Sequence, residues 1–188
     1  LAGWFYPVSA TGTVNYQAAI SLDGVELDRY DKVQIVPFGE YVPLKRLLFF
    51  AAPLVETVSD FSAGDAAVLM DVDGHPVSTA ICYEIVYPDL VRRFVADGSE
   101  LLTTITNDAW FGETSGPWQH LGTLPLRAVE HRVAIARAAN TGVSAFVEPT
   151  GRIGPMRPLL ERGVLHHRIP LRARATLYTR LGDWLVYV

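Results

Sequence analysis

Residues 77–96, VSTAICYEIVYPDLVRRFVA, decide the fold class. Val77 to Cys82 is built of small and β-branched residues and follows Asp73-Gly74, a dipeptide suited to a tight turn at positive φ. With 67–72 as the other arm it reads as a hairpin. At Pro88 the pattern changes. Pro88-Asp-Leu-Val-Arg-Arg-Phe-Val-Ala96 reads as a short helix, with proline tolerated in the first turn and Gly98 as the stop. Leu101 to Thr106 is the next strand, so strand, helix and strand follow one another and the class is α/β.

Outward from this stretch, residues 14–22 and 25–36 flank Asp23-Gly24 and read as a second hairpin. On the other side, Asn107 to His120 reads as an irregular segment at a strand end, where sites are commonly built. Thr123 is the expected N-cap of a helix running to about Ala139, with Pro125 in its first turn and Val129, Val133 and Ala136 on one face. Strands are expected at Val143 to Val147 and Val164 to Leu171, with Pro149-Thr-Gly151 turning between them. Residues 37–64 hold Pro37, Gly39, Pro43, Pro53 and Gly64 around the apolar run Leu47 to Val55, and read as a lid or substrate loop.

The 188 residues, 49% of them hydrophobic, suffice for one buried core, so a single domain over 1–188 is the expectation. The chain opens on Leu1 with no basic and apolar leader, and its start reads as a cut. No apolar run approaches the roughly 20 residues of a membrane-spanning helix. The closing Trp184-Leu-Val-Tyr-Val188 is expected to lead into a hydrophobic segment, so that any membrane attachment runs through segments outside this chain. Residues 1–150 carry 9 Lys+Arg against 18 Asp+Glu, whereas 151–188 carry 7 Arg against 2 acids. The arginine-rich end suits an anionic lipid surface or a solvated face equally well. The acidic body argues against nucleic acid as the main partner.

Cys82 is the single cysteine, which excludes an internal disulfide and a cysteine-rich metal site. No G-x-S-x-G, S-x-x-K, P-loop, G-x-G-x-x-G or H-E-x-x-H motif occurs. The histidines lack metal-ligand spacing, so neither metal nor cofactor is expected. A lone thiol at a strand-to-helix junction is either buried filler or a nucleophile. As a nucleophile it needs a base to form thiolate and a charged or hydrogen-bonding group for the oxyanion that forms when a carbonyl is attacked.

Tyr30-Asp-Lys-Val-Gln-Ile-Val-Pro-Phe-Gly-Glu-Tyr-Val-Pro43, then Ile81-Cys-Tyr-Glu84, then Asn107-Asp-Ala-Trp-Phe-Gly112 and Gly116-Pro-Trp-Gln-His120 resemble, in order, the signature blocks of the apolipoprotein N-acyltransferases, a family of the nitrilase superfamily. Arg137-Ala-Ala-Asn-Thr-Gly-Val-Ser-Ala145 extends the match. The resemblance implies an α-β-β-α sandwich and a Glu-Lys-Cys triad. On it, Cys82 takes an acyl chain from a phospholipid as a thioester and passes it to the N-terminal amine of a lipidated apolipoprotein. Lys32 stabilises the oxyanion, Glu40 matches a lid-loop glutamate, and Tyr83 and Glu84 buttress the nucleophile. Trp110, Phe111 and Trp118 are candidates for acyl-chain contact or for the core.

The implied location is the bacterial inner membrane, with the catalytic domain on the periplasmic side. The departure from the pattern is the base glutamate, which the resemblance puts well upstream of Lys32. Glu26 is the sole glutamate before Lys32 and lies in the hairpin arm that leads to it, so it is not read as that base; the sandwich is expected to be incomplete on its N-terminal side and this chain by itself to be inactive for want of the glutamate. The competing function is a soluble carbon-nitrogen hydrolase with water as acceptor. A non-catalytic domain that keeps the fold is the third reading.

Overall fold

The computed structural model describes residues 2–8, 12–20, 26–37, 39–41, 61–171 and 174–186. The chain forms two compact units, Leu1–Ala66 and Ala67–Val188, where the sequence suggests one domain. In the first unit, β1 (Ala2–Val8), β2 (Gly12–Ile20) and β3 (Glu26–Asp31) make an antiparallel sheet in that order. β2 and β3 are the hairpin expected around Asp23-Gly24, and the turn residues themselves lie outside the described set. β3 ends at Asp31, so Lys32 stands just past the strand rather than within an arm reaching 36. Of the expected lid, 37–64, only 37, 39–41 and 61–64 are described, and the run Leu47 to Val55 lies wholly outside.

The second unit is built on a six-stranded sheet. It contains β4 (Met70–Val72), β5 (His75–Ile81), β6 (Leu101–Asn107), β7 (Ala134–Asn140), β8 (Ser144–Val147) and β9 (Ile153–Arg157), side by side in chain order. β4 and β5 are antiparallel and turn at Asp73 (φ 58°) and Gly74 (φ 80°), the left-handed pair that Asp-Gly favours. β5, β6 and β7 run parallel. They are joined through α1 (Pro88–Ala96) and α2 (Gly116–His131), as parallel neighbours require. α1 occupies the expected residues and buries Leu90, Val91, Phe94 and Val95.

α2 corrects the expectation of a helix from Thr123 to Ala139. It begins at Gly116 and buries His120, Leu121, Leu124, Arg127, Ala128 and His131, one stripe at helical spacing. Thr123 is inside it, with its hydroxyl donating to the His120 carbonyl at 2.8 Å. Arg132, left-handed at φ 52°, ends the helix, and residues 134–140 become β7. The alanines of this run permit either state, and pairing with β6 decides it.

The strand expected at Val164 to Leu171 is also corrected. That segment has no regular structure and is largely exposed. The edge of β8 is taken instead by β9, which arrives first in the chain through the expected Pro149-Thr-Gly151 turn. Near the chain end α3 (Leu177–Leu181) docks on α2: the Thr176 hydroxyl donates to the Glu130 carbonyl at 2.6 Å, and His131 Nδ1 meets the Thr179 hydroxyl at 2.9 Å.

The core of the second unit lies between helices and sheet. Val91 and Val95 of α1 and Leu121, Leu124 and Ala128 of α2 pack with Ala80, Leu102, Ile135, Ala145 and Val147. Several buried hydroxyls of the central strands are paired with one another. Thr79 and Thr103, opposite one another, share a hydrogen bond of 2.6 Å, and Ser78 and Ser99 one of 2.7 Å. The carboxyl ends of β5, β6 and β7 are thereby set side by side, which positions the candidate site.

Candidate active site

Cys82 follows the last residue of β5 and opens a 3-10 turn, Cys82–Val86. Its φ is +56°, left-handed for a residue with a Cβ, an arrangement that costs on the order of 1–3 kcal/mol unless the surroundings impose it. Two contacts impose it here. Glu84, fully buried, turns its carboxylate back to accept the Ile81 amide at 2.7 Å. His120 Nε2 lies 3.2 Å from the Cys82 carbonyl. Since a carbonyl can only accept, Nε2 carries the hydrogen. The thiol itself is half-buried.

Behind His120 stands a buried polar cluster. Its Nδ1 is 3.1 Å from Asp108 Oδ1 and 3.3 Å from Arg137 Nη2. Arg137 Nη2 donates to Asp108 Oδ2 at 2.7 Å, and its Nε to the Val143 carbonyl at 3.0 Å. The Thr106 hydroxyl donates to Asp108 Oδ1 at 3.0 Å. Burial drives the Asp108 carboxyl up, but His120, Arg137 and Thr106 together hold it below its ordinary value. Burial pulls the Arg137 guanidinium down, opposed by Asp108. Gly142 is required beside this cluster, because a Cβ there would lie 2.8 Å from Asp108 Cγ.

The aromatic candidates divide. The Tyr83 and Phe111 rings flank His120, with centroids 6.0 and 6.3 Å from it. Trp110 is 81% exposed and Trp118 46%, so neither is a core residue. At the strand ends, the Asn107 side chain accepts from the Ala109 amide and from Asn140 Nδ2, each at 3.3 Å.

In the first unit, Lys32 is fully buried rather than a surface charge, and its Nζ donates to both carboxylate oxygens of Glu40 at 2.6 Å. Glu40 Oε2 also accepts the Val36 amide at 2.8 Å, closing the turn that brings residue 40 back to residue 32. The structure thus pairs Lys32 with Glu40 in one unit, and gathers Cys82, Tyr83, Glu84 and Phe111 in the other. Asp108, His120 and Arg137 carry no role in the sequence reading, although each stands inside a block quoted above. They are 12 and 17 residues apart, and no local pattern announces that they meet.

Residues 4–178 match the carbon-nitrogen hydrolase family, and the chain is a member of it. Within that family it is similar to the apolipoprotein N-acyltransferase of Geobacter metallireducens, 42% identical over 160 residues, 85% of this chain and 31% of the relative. The apolipoprotein N-acyltransferase of Vibrio vulnificus is 37% identical over 189 residues, 99% of this chain and 37% of the relative. The resemblance read in the sequence blocks is therefore borne out, and the chain spans about a third of the length of these relatives.

Among solved structures, an amidase from Nesterenkonia sp. AN1 shares the fold with a TM-score of 0.64 at 21% identity, over 98% of this chain and 66% of that one. A further structure of that amidase carries the acetamide moiety of fluoroacetamide covalently at its active site cysteine, with a TM-score of 0.61 at 24% identity over 84% and 56%. The nitrilase-like α/β fold expected from the sequence is thus observed.

Proposed function

We propose that this chain carries the nucleophile and the oxyanion-stabilising lysine of an enzyme that transfers an acyl chain from a phospholipid to the N-terminal amine of a diacylglyceryl-modified apolipoprotein. The observation that carries the reading is Cys82, held at φ +56° past the carboxyl end of a parallel strand by Glu84 and His120. The acceptor class is supported by 37–42% identity to apolipoprotein N-acyltransferases, against 21–24% to the amidase.

In this reading the thiol gives its proton to a base and Sγ attacks the ester carbonyl of the donor. The C–S bond forms, the ester C–O bond breaks, and the lysophospholipid leaves with the proton. The acceptor amine then attacks the thioester, C–N forms, C–S breaks, and the amine proton returns to sulfur. Lys32 offers its charge to the oxyanion of each step, a kind of contribution worth about 3 kcal/mol per donor. Glu40 orients Lys32, and Glu84 and Tyr83 support the nucleophile. Trp110, Phe111 and Trp118 offer apolar surface to the acyl chain. The base is not assigned to Glu40 or Glu84, which are engaged with Lys32 and with the Ile81 amide. The reaction belongs at the bacterial inner membrane, on its periplasmic face, where donor and acceptor meet. Among the described residues no helix is long and apolar enough to cross a membrane.

The test is to incubate the full-length protein with phospholipid micelles and follow the Cys82 peptide by mass spectrometry. An acyl adduct that a diacylglyceryl peptide discharges, and that Cys82→Ala abolishes, is the expected result. Release of free fatty acid without transfer would mark a hydrolase, and an adduct persisting in Cys82→Ala would remove the cysteine from the chemistry.

A further inference from the structure

We propose that His120 is a positioning residue for Cys82: its Nε2–H anchors the Cys82 carbonyl, and Asp108 and Arg137 set the ring that makes this bond. The inference rests on Cys82 being the nucleophile, as proposed above. The carbonyl of Cys82 belongs to the peptide that links it to Tyr83, so its direction reports the backbone angles of Cys82. Return of Cys82 to an ordinary right-handed or extended conformation would swing that carbonyl away from Nε2. A donor held at 3.2 Å therefore favours the left-handed conformation from which the 3-10 turn starts.

For the donor to act this way its ring must itself be fixed, and every contact around it serves that end. Asp108, His120 and Arg137 are each at least 96% buried. Nδ1 is addressed by a carboxylate oxygen that accepts and a guanidinium nitrogen that donates, so the ring keeps a polar partner on that side in either protonation state. Arg137, on β7, is in turn tied to the Val143 carbonyl just before β8, and Asp108 to Thr106 near the end of β6. Tyr83 and Phe111 limit the tilt of the ring. The cluster thus joins the ends of β5 and β6 to β7 through one imidazole. An apolar core could fill the same space, but it could not direct a carbonyl.

Two amide substitutions separate the two ring nitrogens. His120→Asn places a donor where Nδ1 stands and keeps a bond to Asp108, whereas His120→Gln reaches the place of Nε2 and keeps the bond to Cys82. The experiment uses the full-length protein in detergent and iodoacetamide as the probe, with alkylation of the Cys82 peptide timed by mass spectrometry beside unfolding temperatures. Alkylation needs neither lipid nor acceptor, so a parent that alkylates but never acylates would count against the acyltransferase reading alone. The expected result is His120→Gln within about threefold of the parent and His120→Asn slower by about tenfold or more, because small displacements of a reacting group carry large rate penalties. A merely structural histidine would lower the unfolding temperature of both without separating their alkylation rates. Equal rates in the two variants, or Asn faster than Gln, would overturn the proposal.

Discussion

Arg137 Nη2 donates to Asp108 Oδ2 at 2.7 Å, and neither side chain has any solvent exposure. A pair this deep is costly to halve, because the surviving charge is left buried without its counter-charge. Asp108→Asn is expected to destabilise the protein by about 3–5 kcal/mol at neutral pH. The folded-state pKa of Asp108 lies below its ordinary value of 3.8, so the stabilisation is present above that value and is lost as pH falls through the lower folded pKa. Urea unfolding of parent and variant across this range should show a constant gap near neutrality that closes in acid. A gap that stays open in acid would mean that another group carries the effect.

Gly142 and Gly122 should respond in opposite directions to the same substitution. A Cβ at Gly142 would sit 2.8 Å from Asp108 Cγ, whereas nothing lies within 4 Å of one at Gly122. Gly142→Ala is expected to cost about 1–3 kcal/mol by overpacking. Gly122→Ala, on an exposed position inside α2, is expected to gain about 0.5–1 kcal/mol through helix propensity. Thermal unfolding of the two single variants checks both signs at once.

Lys32→Met should lower single-turnover acylation of Cys82 by about a hundredfold or more, as the loss of an oxyanion donor does elsewhere. Because Lys32 is buried and bonded to both oxygens of Glu40, the substitution should also cost stability. Lys32→Met/Glu40→Gln should recover part of that stability without recovering the rate, since it removes the stranded carboxylate and not the missing charge. Acylation within a few-fold of the parent would return Lys32 to a structural role.

Glu130 behaves oppositely to Asp108. Burial pushes its carboxyl up, Arg127 opposes this, and Asp183 adds to it. The folded pKa is above the ordinary 4.5, so its contribution is full below that value and lost as pH rises through the folded pKa. Glu130→Gln has no such loss, and its stability relative to the parent should therefore rise between about pH 4 and about pH 7. Thermal unfolding at the two values measures the change, and a relative fall would show that the Arg127 pair dominates.

Much of the fold was legible because its signals are local. Asp73-Gly74 turns where a dipeptide tolerant of positive φ stands, and Pro88 and Gly98 bracket α1 as residue chemistry requires. The two corrected elements share a cause. Residues 134–140 and Val164 to Leu171 are short runs whose composition suits more than one state, and the choice depends on which neighbouring strand edge is open.

By itself, the sequence determined the α/β class, the family blocks, the lone thiol at the strand-to-helix junction and the identities of Lys32, Glu40 and Glu84. The class and the place of the thiol follow from residue type and spacing along the chain, and the choice of Lys32, Glu40 and Glu84 from the resemblance that the blocks carry. The tertiary structure alone decided that Lys32 is buried on Glu40, that Cys82 is left-handed, and that Asp108, His120 and Arg137 meet behind its carbonyl. Those three arrive from a strand end, a helix and a strand that are brought together only when the sheet forms. Their mutual contact is a property of packing, and no periodicity in the chain encodes it.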